Sequence, residues 1–199
     1  MTRVVLATRN AHKVAELGQI LGALGLTIEL VGLDAFPDAP EVAETGATFA
    51  ANALLKAEAV AAATGRPAIA DDSGLCVDAL NGMPGIFSAR WAGGGGDAAN
   101  LDLVLAQIAD VPDERRGAAF VCAAALALPG RSGEVAEGEV RGHLLRERRG
   151  TNGFGYDPIF VPEGESRTTA EMGAEEKNAL SHRGRAFRAL APVIERALG

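Results

Sequence analysis

The sequence has few of the residues that mark secreted, metal-binding or membrane-spanning proteins. Its only cysteines, Cys76 and Cys122, lie in apolar segments and lack the spacing of a metal site. Such cysteines are typical of small buried side chains in a reducing compartment. No apolar segment approaches the length of a transmembrane helix, and the apolar run that begins at Val4 is too short for a signal peptide. We therefore expect a soluble, cytoplasmic protein with no membrane partner.

Positive charge is also scarce. The 199 residues include 19 lysines and arginines against 26 aspartates and glutamates, which gives a formal net charge of -7. A protein that binds DNA or RNA normally presents a basic surface, so no nucleic-acid polymer is expected as a partner. A small anionic substrate is compatible with this charge, because a local group of lysines, arginines and a metal ion can bind it. The apolar fraction of 48% indicates a globular protein with a sizeable core.

Strand-like and helix-like segments alternate along the chain, which predicts an α/β fold. A Pro-Gly turn between two strand-like segments predicts a hairpin, and Pro158 predicts an edge strand because proline has no N–H to donate. Strands separated by helices, combined with a hairpin, imply a mixed β-sheet flanked by helices. No repeat or linker interrupts the pattern, so residues 1–199 are interpreted as one domain with two lobes. The predicted strands are 4–7, 27–31, 68–70, 118–128, 134–141 and 156–161, and the predicted helices are 14–24, 48–64, 97–109 and most of the chain after residue 169.

The most informative segment is Ala70-Asp71-Asp72-Ser73-Gly74, which follows a short apolar strand. A strand that ends in carboxylates places them at the carboxyl edge of the sheet, where open α/β folds bind ligands. Carboxylate oxygens suit Mg²⁺. Because neighbouring strand residues point to opposite faces, we expect one aspartate to bind the metal and the other to orient Lys56 or a water molecule, without assigning which. The alternative is an ordinary turn, since Asp, Ser and Gly favour turns.

Two further segments have the polar side chains expected of a phosphate site. Residues 8–13 join the first strand to the first helix, and the N-terminus of a helix binds anions. Thr48, Asn52 and Lys56 recur every four residues and therefore share one helix face. The alternatives are a plain helix cap at Asn10 and a helix face that is merely solvated.

Two segments in the second half combine aromatic rings, glycines and hydrogen-bond donors. Residues 153–158 place aromatic side chains beside glycines, which allows a flat ring to approach the backbone and to stack on a base. Ser181 is predicted to cap the last helix, so His182 and Arg183 lie in its first turn. Cations in a first turn oppose the helix dipole. We therefore expect a hydrogen-bond acceptor on a ligand to compensate them. The alternatives are a tight turn before an edge strand and simple surface capping.

Taken together, these segments resemble the inosine triphosphate pyrophosphatase family, whose members remove deaminated purine nucleotides. The resemblance extends over nearly the whole chain. Each segment is a weak signal alone, whereas six in one order are hard to obtain by chance. The matching segments are residues 8–13, 44–56, 71–74, 84–90, 154–158 and 181–184.

The resemblance implies an enzyme that uses Mg²⁺ to hydrolyse ITP, dITP and XTP to the monophosphate and pyrophosphate. It also implies an elongated mixed α/β fold with a cleft between two lobes, and a homodimer. By the family pattern, Glu44 and Asp72 would hold the metal, and Asp72, with or without Asp71, would activate water. The triphosphate would contact Lys56 and the segment Thr8, Arg9, Asn10, Ala11, His12 and Lys13, and the nucleoside would contact Ser73, Phe154, Gly155, Tyr156, Asp157, Lys177, His182 and Arg183.

Base choice would follow from the donors at His182 and Arg183. Hypoxanthine and xanthine carry a 6-keto acceptor, whereas adenine carries a 6-amino donor. Two donors facing each other in a buried site leave both unsatisfied, at a cost of about 1–3 kcal/mol per group. The expected site therefore rejects ATP.

Two positions depart from the family pattern. His12 stands where a glycine is common, which changes how closely the backbone can approach a phosphate. Ala51 stands where a glutamate is common, which removes one potential carboxylate from the metal site. Two other functions are kept as alternatives: a pyrophosphatase for modified pyrimidine nucleotides, and a nucleotide-binding sensor without catalytic activity.

Overall fold

The computed structural model describes residues 2–9, 11–26 and 28–199. Within these residues the chain forms two compact units. The first contains the residues up to Asp72 together with Cys122–Gly138 and Arg183–Gly199, and the second contains Ser73–Val121 and Glu139–His182. The chain therefore changes units four times: after Asp72, after Val121, after Gly138 and after His182. The interpretation of residues 1–199 as one domain stays a prediction, and so does the cleft.

Six strands of the described residues form one mixed sheet, in the order β2-β1-β3-β4-β5-β6. β1 pairs in parallel with β2 and β3, whereas β6 pairs antiparallel with β5. The predicted mixed sheet flanked by helices is confirmed. The strands are β1 (Thr2–Leu6), β2 (Ile28–Gly32), β3 (Ala68–Val77), β4 (Gly117–Ala127), β5 (Glu134–Leu144) and β6 (Phe160–Pro162), and the α-helices are α1 (Ala11–Ala23), α2 (Phe49–Thr64), α3 (Gly96–Gln107), α4 (Ala174–Leu180) and α5 (His182–Leu198).

Helix α2 shows how the local sequence fixes an element that carries site residues. The side-chain oxygen of Thr48 accepts a hydrogen bond from the Ala51 N–H at 3.1 Å, which satisfies one free donor of the first turn. Gly65 ends the helix in the left-handed conformation, with φ of 63°, which glycine adopts without strain. The predicted helix is confirmed, with Thr48 as its cap.

The core of the first unit joins the apolar faces of α1 and α5 to β1, β3 and β4. Leu17 and Leu21, which recur at the predicted helical spacing, are buried against it. Full burial of such a side chain stabilises the fold by about 1.5–3 kcal/mol. The other main members of this core are Val4, Leu6, Ile69, Phe187, Leu190 and Ile194.

The core of the second unit is built from β3 beyond Ser73, α3, and parts of β4, β5 and β6. Leu75, Leu101 and Phe160 are among its buried residues. Arg116 is also buried, and its guanidinium donates to the carbonyl oxygens of Leu144, Ile108 and Leu145 at 2.9, 2.6 and 2.9 Å. These three bonds compensate the burial of the charge and fix the end of β5.

Strand β3 is longer than predicted. It runs from Ala68 to Val77, so the two aspartates lie inside it and the expected strand end after Ala70 is wrong. The strand continues because Leu75 and Val77 are fully buried and hold the apolar pattern beyond the acidic pair. Gly74 lies against the Gly85 carbonyl and the Ser88 side chain, where a Cβ atom would not fit, so it serves close packing instead of a turn.

The predicted strand at residues 156–161 is also corrected. Asp157–Ile159 form a 3-10 turn, because Pro158 has the φ value of a helical turn and no N–H for a sheet. Only β6 remains as a strand, and it lies at the sheet edge as predicted. The predicted loop at 81–96 contains a 3-10 helix over Gly85–Arg90. None of the helices in the described part of the chain is long and apolar enough to cross a membrane.

Candidate active site

The acidic pair lies just beyond the end of strand β1. Leu6 is the last residue of β1 in register with β3, where it faces Ile69, and the Ala7 N–H donates to the Ile69 carbonyl at 2.8 Å. Asp71 and Asp72 follow Ile69 by two and three residues, past the end of this parallel pairing. The carboxylates therefore lie at the carboxyl end of the parallel strands, as predicted, although the strand that carries them continues.

Asp71 is held by cations on one face of β3. Its Oδ2 accepts hydrogen bonds from Nε and Nη2 of Arg183 at 3.2 and 3.1 Å, and Nζ of Lys13 lies 3.6 Å away. Glu16 accepts a further bond from Nη1 of Arg183 at 2.8 Å. Burial alone would raise the pKa of Asp71, but Arg183, Lys13 and Lys56 outweigh it and hold this pKa well below its usual range. Asp71 is therefore a permanently charged anchor.

Asp72 faces a different set of side chains, as the alternation of a strand requires. Its Oδ2 accepts a bond from Nδ2 of Asn52 at 3.0 Å, and its Oδ1 lies 3.5 Å from Nζ of Lys56. Lys56 also donates to Oε1 of Glu44 at 2.7 Å. Burial raises the pKa of Asp72 above its ordinary value, and the opposing effects of Lys56 and Asn52 offset only part of this. Asp72 is thus the more basic of the two neighbours.

Asn52 also fixes the loop that carries Glu44. Its Oδ1 accepts a hydrogen bond from the Gly46 N–H at 2.8 Å, while its Nδ2 binds Asp72. The amide therefore connects the Glu44 loop to β3, and both of its ends are used. A Cβ atom at Gly46 would lie 2.7 Å from Oδ1 of Asn52 and 2.7 Å from Cβ of Ala51, which is too close.

Gly46→Ala is accordingly expected to displace Asn52 and Glu44 and to lower kcat/KM for the substrate by about tenfold, since one to two hydrogen bonds of about 1 kcal/mol each are lost. Gly22→Ala in α1 is the matched control, because a Cβ atom there meets nothing within 4 Å. Steady-state kinetics of the two variants checks the prediction. Equal activity in both would show that the Gly46–Asn52 contact does not hold the site.

Glu44 and Asp72 are the described residues that best suit a metal ion. Both carboxylates point at one cation, the ammonium of Lys56, so their oxygens converge on a common position. In the described residues no group of three or more His, Cys, Asp and Glu side chains converges in this way. Two carboxylates are the usual protein contribution to a Mg²⁺ site that is completed by water and phosphate oxygens, so the donor set fits that ion.

The predicted phosphate loop lies in the same unit, and the structure describes part of it. Thr8 and Arg9 line a cavity of about 260 Å³ together with Lys56 and the 40–42 segment. Arg9 donates to the Leu33 and Ala39 carbonyls at 3.5 and 3.3 Å, so its guanidinium lies against the backbone. Lys13 lies at Asp71. Asn10 and the side chains of Ala11 and His12 lie outside the described residues.

The second unit brings together another set of predicted residues around Asp157. The carboxylate of Asp157 accepts hydrogen bonds from the Phe154 N–H at 2.8 Å, from Oγ1 of Thr169 at 2.8 Å and from Nζ of Lys177 at 2.5 Å. Gly153, with φ of 76°, makes room for this carboxylate, because a Cβ atom there would overlap it. The Phe154 ring lies 4.9 Å from Nζ of Lys177 and is 58% exposed, so one aromatic face remains open to solvent.

Other predicted nucleoside contacts have different surroundings. Tyr156 is buried, its hydroxyl donates to the Ser88 carbonyl at 2.8 Å, and burial raises the pKa of the phenol, so this residue supports the core. The Gly155 N–H binds Asp97 at 2.8 Å. Ser73 lies in β3 at the start of the second unit. His182 stacks on Phe120 and lines a pocket with Asp157 and Lys177.

Arg183 has carboxylate partners that the sequence did not predict. The predicted position of Arg183 in the first turn of α5 is confirmed. Asp71 and Glu16 accept hydrogen bonds from its guanidinium, and their negative charges compensate the unfavourable interaction of this cation with the helix dipole. His182 belongs to the second unit and Arg183 to the first. The structure therefore gives Arg183 an ion pair with the acidic segment, and its predicted contact with the nucleoside stays a prediction.

Comparison with known proteins identifies the family. A family model described as the Ham1 family matches residues 4–193. The chain belongs to the Ham1 family. A protein from Streptomyces coelicolor named dITP/XTP pyrophosphatase is 66% identical over 200 residues, which cover 100% of both chains. A protein of the same name from Mycobacterium bovis is 53% identical over 196 residues, covering 98% of this chain and 96% of the relative.

Solved structures of Ham1 proteins have the same fold. A HAM1 protein from Coxiella burnetii superposes with a TM-score of 0.90 at 42% identity, covering 98% of this chain and 100% of that chain. A structure of the dITP/XTP pyrophosphatase from Mycobacterium abscessus superposes with a TM-score of 0.80 at 55% identity. The match covers 96% of this chain and 100% of that chain. These comparisons confirm the predicted family. They also confirm the predicted class of enzyme, at the level of the Ham1 family.

Four residues of the site were not assigned a role from the sequence. Asn52 was placed on the correct helix face, and that periodicity is the signal that could have identified it. Glu16 lies three residues after Lys13 and so shares its helix face, which is a weaker signal. Phe120 and Thr169 had no sequence signal, because their partners His182 and Asp157 come from distant parts of the chain.

Proposed function

We propose that this Ham1 protein hydrolyses dITP and XTP, and also ITP, to the nucleoside monophosphate and pyrophosphate with the help of Mg²⁺. One observation carries the proposal: Glu44 and Asp72 converge on Lys56 at the carboxyl end of the parallel strands. The names of the relatives, dITP/XTP pyrophosphatase at up to 66% identity over the full length, support the substrate class.

The first unit has the charges needed to bind a triphosphate. The group around the acidic pair contains four carboxylates and three cations, so it carries one negative charge in excess and accepts a further cation. Mg²⁺ bound by Glu44 and Asp72 would neutralise charge on the phosphates and on the departing pyrophosphate. Lys56 keeps its proton, since Asp72 and Glu44 raise its pKa against the effect of burial. Lys56 would therefore contact phosphate oxygens as a full positive charge, and Lys13 would contact them from its place beside Asp71.

The two aspartates would divide the remaining work. Asp72 lies on the face of β3 that meets Asn52 and Lys56, so its carboxylate would hold the metal, orient the attacking water and accept its proton. Asp71 stays ionised in its pair with Arg183 and would keep Lys13 in place. This division gives each residue of the acidic pair a role that its own face of β3 dictates.

The second unit would recognise the base through Lys177, His182 and Phe154. The amino group of Lys177 donates and cannot accept, so it suits a 6-keto oxygen and conflicts with the 6-amino group of adenine. The exposed ring of Phe154 offers a surface for stacking, which is worth about 1–3 kcal/mol per base. Asp157 holds the Lys177 amino group and the Phe154 backbone at the same time.

Lys177→Met is expected to lower the ratio of kcat/KM for dITP to that for dATP by about tenfold, because one charge-assisted hydrogen bond to the base is lost. Arg167→Met is the control, since Arg167 forms an exposed ion pair with Glu176, the neighbour of Lys177 in α4, and surface pairs contribute little. Parallel kinetics with both nucleotides measures the ratio. A ratio that does not change in Lys177→Met would remove this residue from base recognition.

Product analysis tests the proposed function directly. The protein is incubated with dITP, XTP and ITP, with Mg²⁺ or with a chelator, and the products are separated by ion-exchange chromatography. Monophosphate and pyrophosphate that form only with Mg²⁺ are the expected result. Diphosphate and phosphate would indicate another cleavage site, no reaction would favour a nucleotide-binding sensor, and faster turnover of modified pyrimidine nucleotides would favour that alternative substrate class.

The homodimer and the cytoplasmic location stay proposals that follow from the family. Light scattering after size-exclusion chromatography checks the first, with a mass of twice 20.4 kDa as the expected value. A single-chain mass over the micromolar range would contradict it.

A further inference from the structure

Three aromatic rings lie in series in the second unit. The rings of Phe120 and His182 are stacked, with centroids 5.0 Å apart and planes inclined by 14°. Phe160 contacts Phe120 edge-on, with centroids 4.6 Å apart and planes inclined by 60°. Phe160 is completely buried in the core of this unit. The core therefore holds Phe160, Phe160 supports Phe120, and Phe120 supports the imidazole.

The stack controls the direction in which His182 can form hydrogen bonds. Both ring nitrogens of an imidazole donate or accept in the plane of the ring. A neighbour that covers one face restrains this plane without using either nitrogen. His182 and Phe120 line a small cavity of about 20 Å³ together with Asp157, Lys177 and Thr169, which form the hydrogen-bonded group described above. The orientation of the His182 plane thus decides which part of a bound base the imidazole can reach.

Phe120 is exceptional within its strand. Strand β4 is rich in alanine, and Phe120 is its only aromatic residue. Ala118 and Cys122, its neighbours on the same face of the strand, are completely buried, whereas Phe120 is half-buried. A phenylalanine that only filled the core would be expected at one of the fully buried positions. The ring instead lies where the strand borders the pocket of His182.

We propose that Phe120 is a positioning residue for base selection, which holds the imidazole of His182 in the plane that directs its N–H to the 6-keto oxygen of a deaminated purine. The inference rests on the proposed function, because it concerns the base of that substrate. Phe120 acts through His182 and does not itself bind the polar edge of the base. Its role is therefore distinct from that of Phe154, whose exposed ring would contact the base directly.

Phe120→Leu tests the inference because it keeps an apolar side chain and removes the ring. We expect kcat/KM for dITP to fall about tenfold while kcat/KM for dATP changes less than about twofold. Phe120→Tyr keeps the ring and should retain the wild-type ratio. The imidazole gives a direct spectroscopic signal, since the chain has three histidines and a His182→Asn variant assigns the resonance. The ring protons of His182 should shift in Phe120→Leu, because the shielding by the stacked ring is lost, and should stay near their wild-type position in Phe120→Tyr.

Phe187→Leu is the matched control for a loss of stability. Phe187 is completely buried in the core of the first unit, so the substitution should lower stability and leave the dITP-to-dATP ratio unchanged. An unchanged ratio in Phe120→Leu, or an equal change in Phe187→Leu, would overturn the inference. Binding of IMP and AMP, measured by calorimetry, separates it from the proposed function. If the wild type fails to cleave dITP, a weaker preference for IMP over AMP in Phe120→Leu still supports the inference, and an unchanged preference overturns it.

Discussion

Asp72→Asn is expected to lower kcat for dITP by about 10³-fold and to leave the fold intact. The variant keeps the size of the side chain and an oxygen that can accept from Nδ2 of Asn52, which lies 3.0 Å from Oδ2 in the native site. It removes the negative charge that lies 3.5 Å from Nζ of Lys56. With that charge go the proposed Mg²⁺ ligand and the proposed base for the attacking water. Pyrophosphate release at saturating dITP and Mg²⁺ measures the effect.

Asp102→Asn provides the control for this substitution. Asp102 lies on the exposed side of α3 and pairs with Arg148, and such surface pairs contribute little to stability. Its turnover should stay within about twofold of the wild type. Circular dichroism and thermal unfolding of both variants should match those of the wild type. A folded Asp72→Asn protein with wild-type turnover would show that Asp72 takes no part in the reaction.

The surroundings of Asp72 could be predicted because they follow from local periodicity. Residues four apart on a helix share a face, and this spacing predicts that Asn52 lies beside Lys56. The structure brings both side chains to Asp72. The alternation of side chains along a strand separated Asp71 from Asp72 in the same way, and the two carboxylates do have different partners.

The end of strand β3 was beyond local reasoning. Asp, Ser and Gly favour turns, so the residues after Ala70 predicted the end of a strand. Tertiary packing outweighs this preference, because Leu75 and Val77 are buried in the second unit and Gly74 fits against Ser88. Turn propensity is outweighed when the following residues pair and pack as a strand.

The partners of Arg183 could not be predicted for a related reason. Asp71 lies 112 residues before Arg183, and no short pattern connects positions so far apart. The helix dipole correctly indicated that an anion has to compensate a cation in the first turn. The sequence could not show whether this anion belongs to a ligand or to the protein. In the structure it belongs to the protein, since Asp71 and Glu16 both accept from the guanidinium.

Arg183→Ala is therefore expected to lower the free energy of unfolding by about 3–5 kcal/mol, which is the usual cost of removing one partner from a buried ion pair. The side chains of Arg183 and Asp71 are only 5% and 6% exposed, and the guanidinium forms three hydrogen bonds to carboxylates. Without it, the buried charge of Asp71 depends on Lys13, whose Nζ lies 3.6 Å away. Urea unfolding at neutral pH measures the loss.

Two companion variants decide whether the ion pair is the cause. Arg196→Ala removes an arginine of the same helix, α5, whose ion pair with Glu134 is exposed, and should change stability by no more than about 0.5 kcal/mol. Asp71→Asn added to Arg183→Ala should recover part of the loss, because no buried carboxylate is then left without its main cation. One result would contradict the structural role of Arg183. If Arg183→Ala keeps wild-type stability and lowers the ratio of kcat/KM for dITP over dATP tenfold, Arg183 recognises the base, as the sequence predicts.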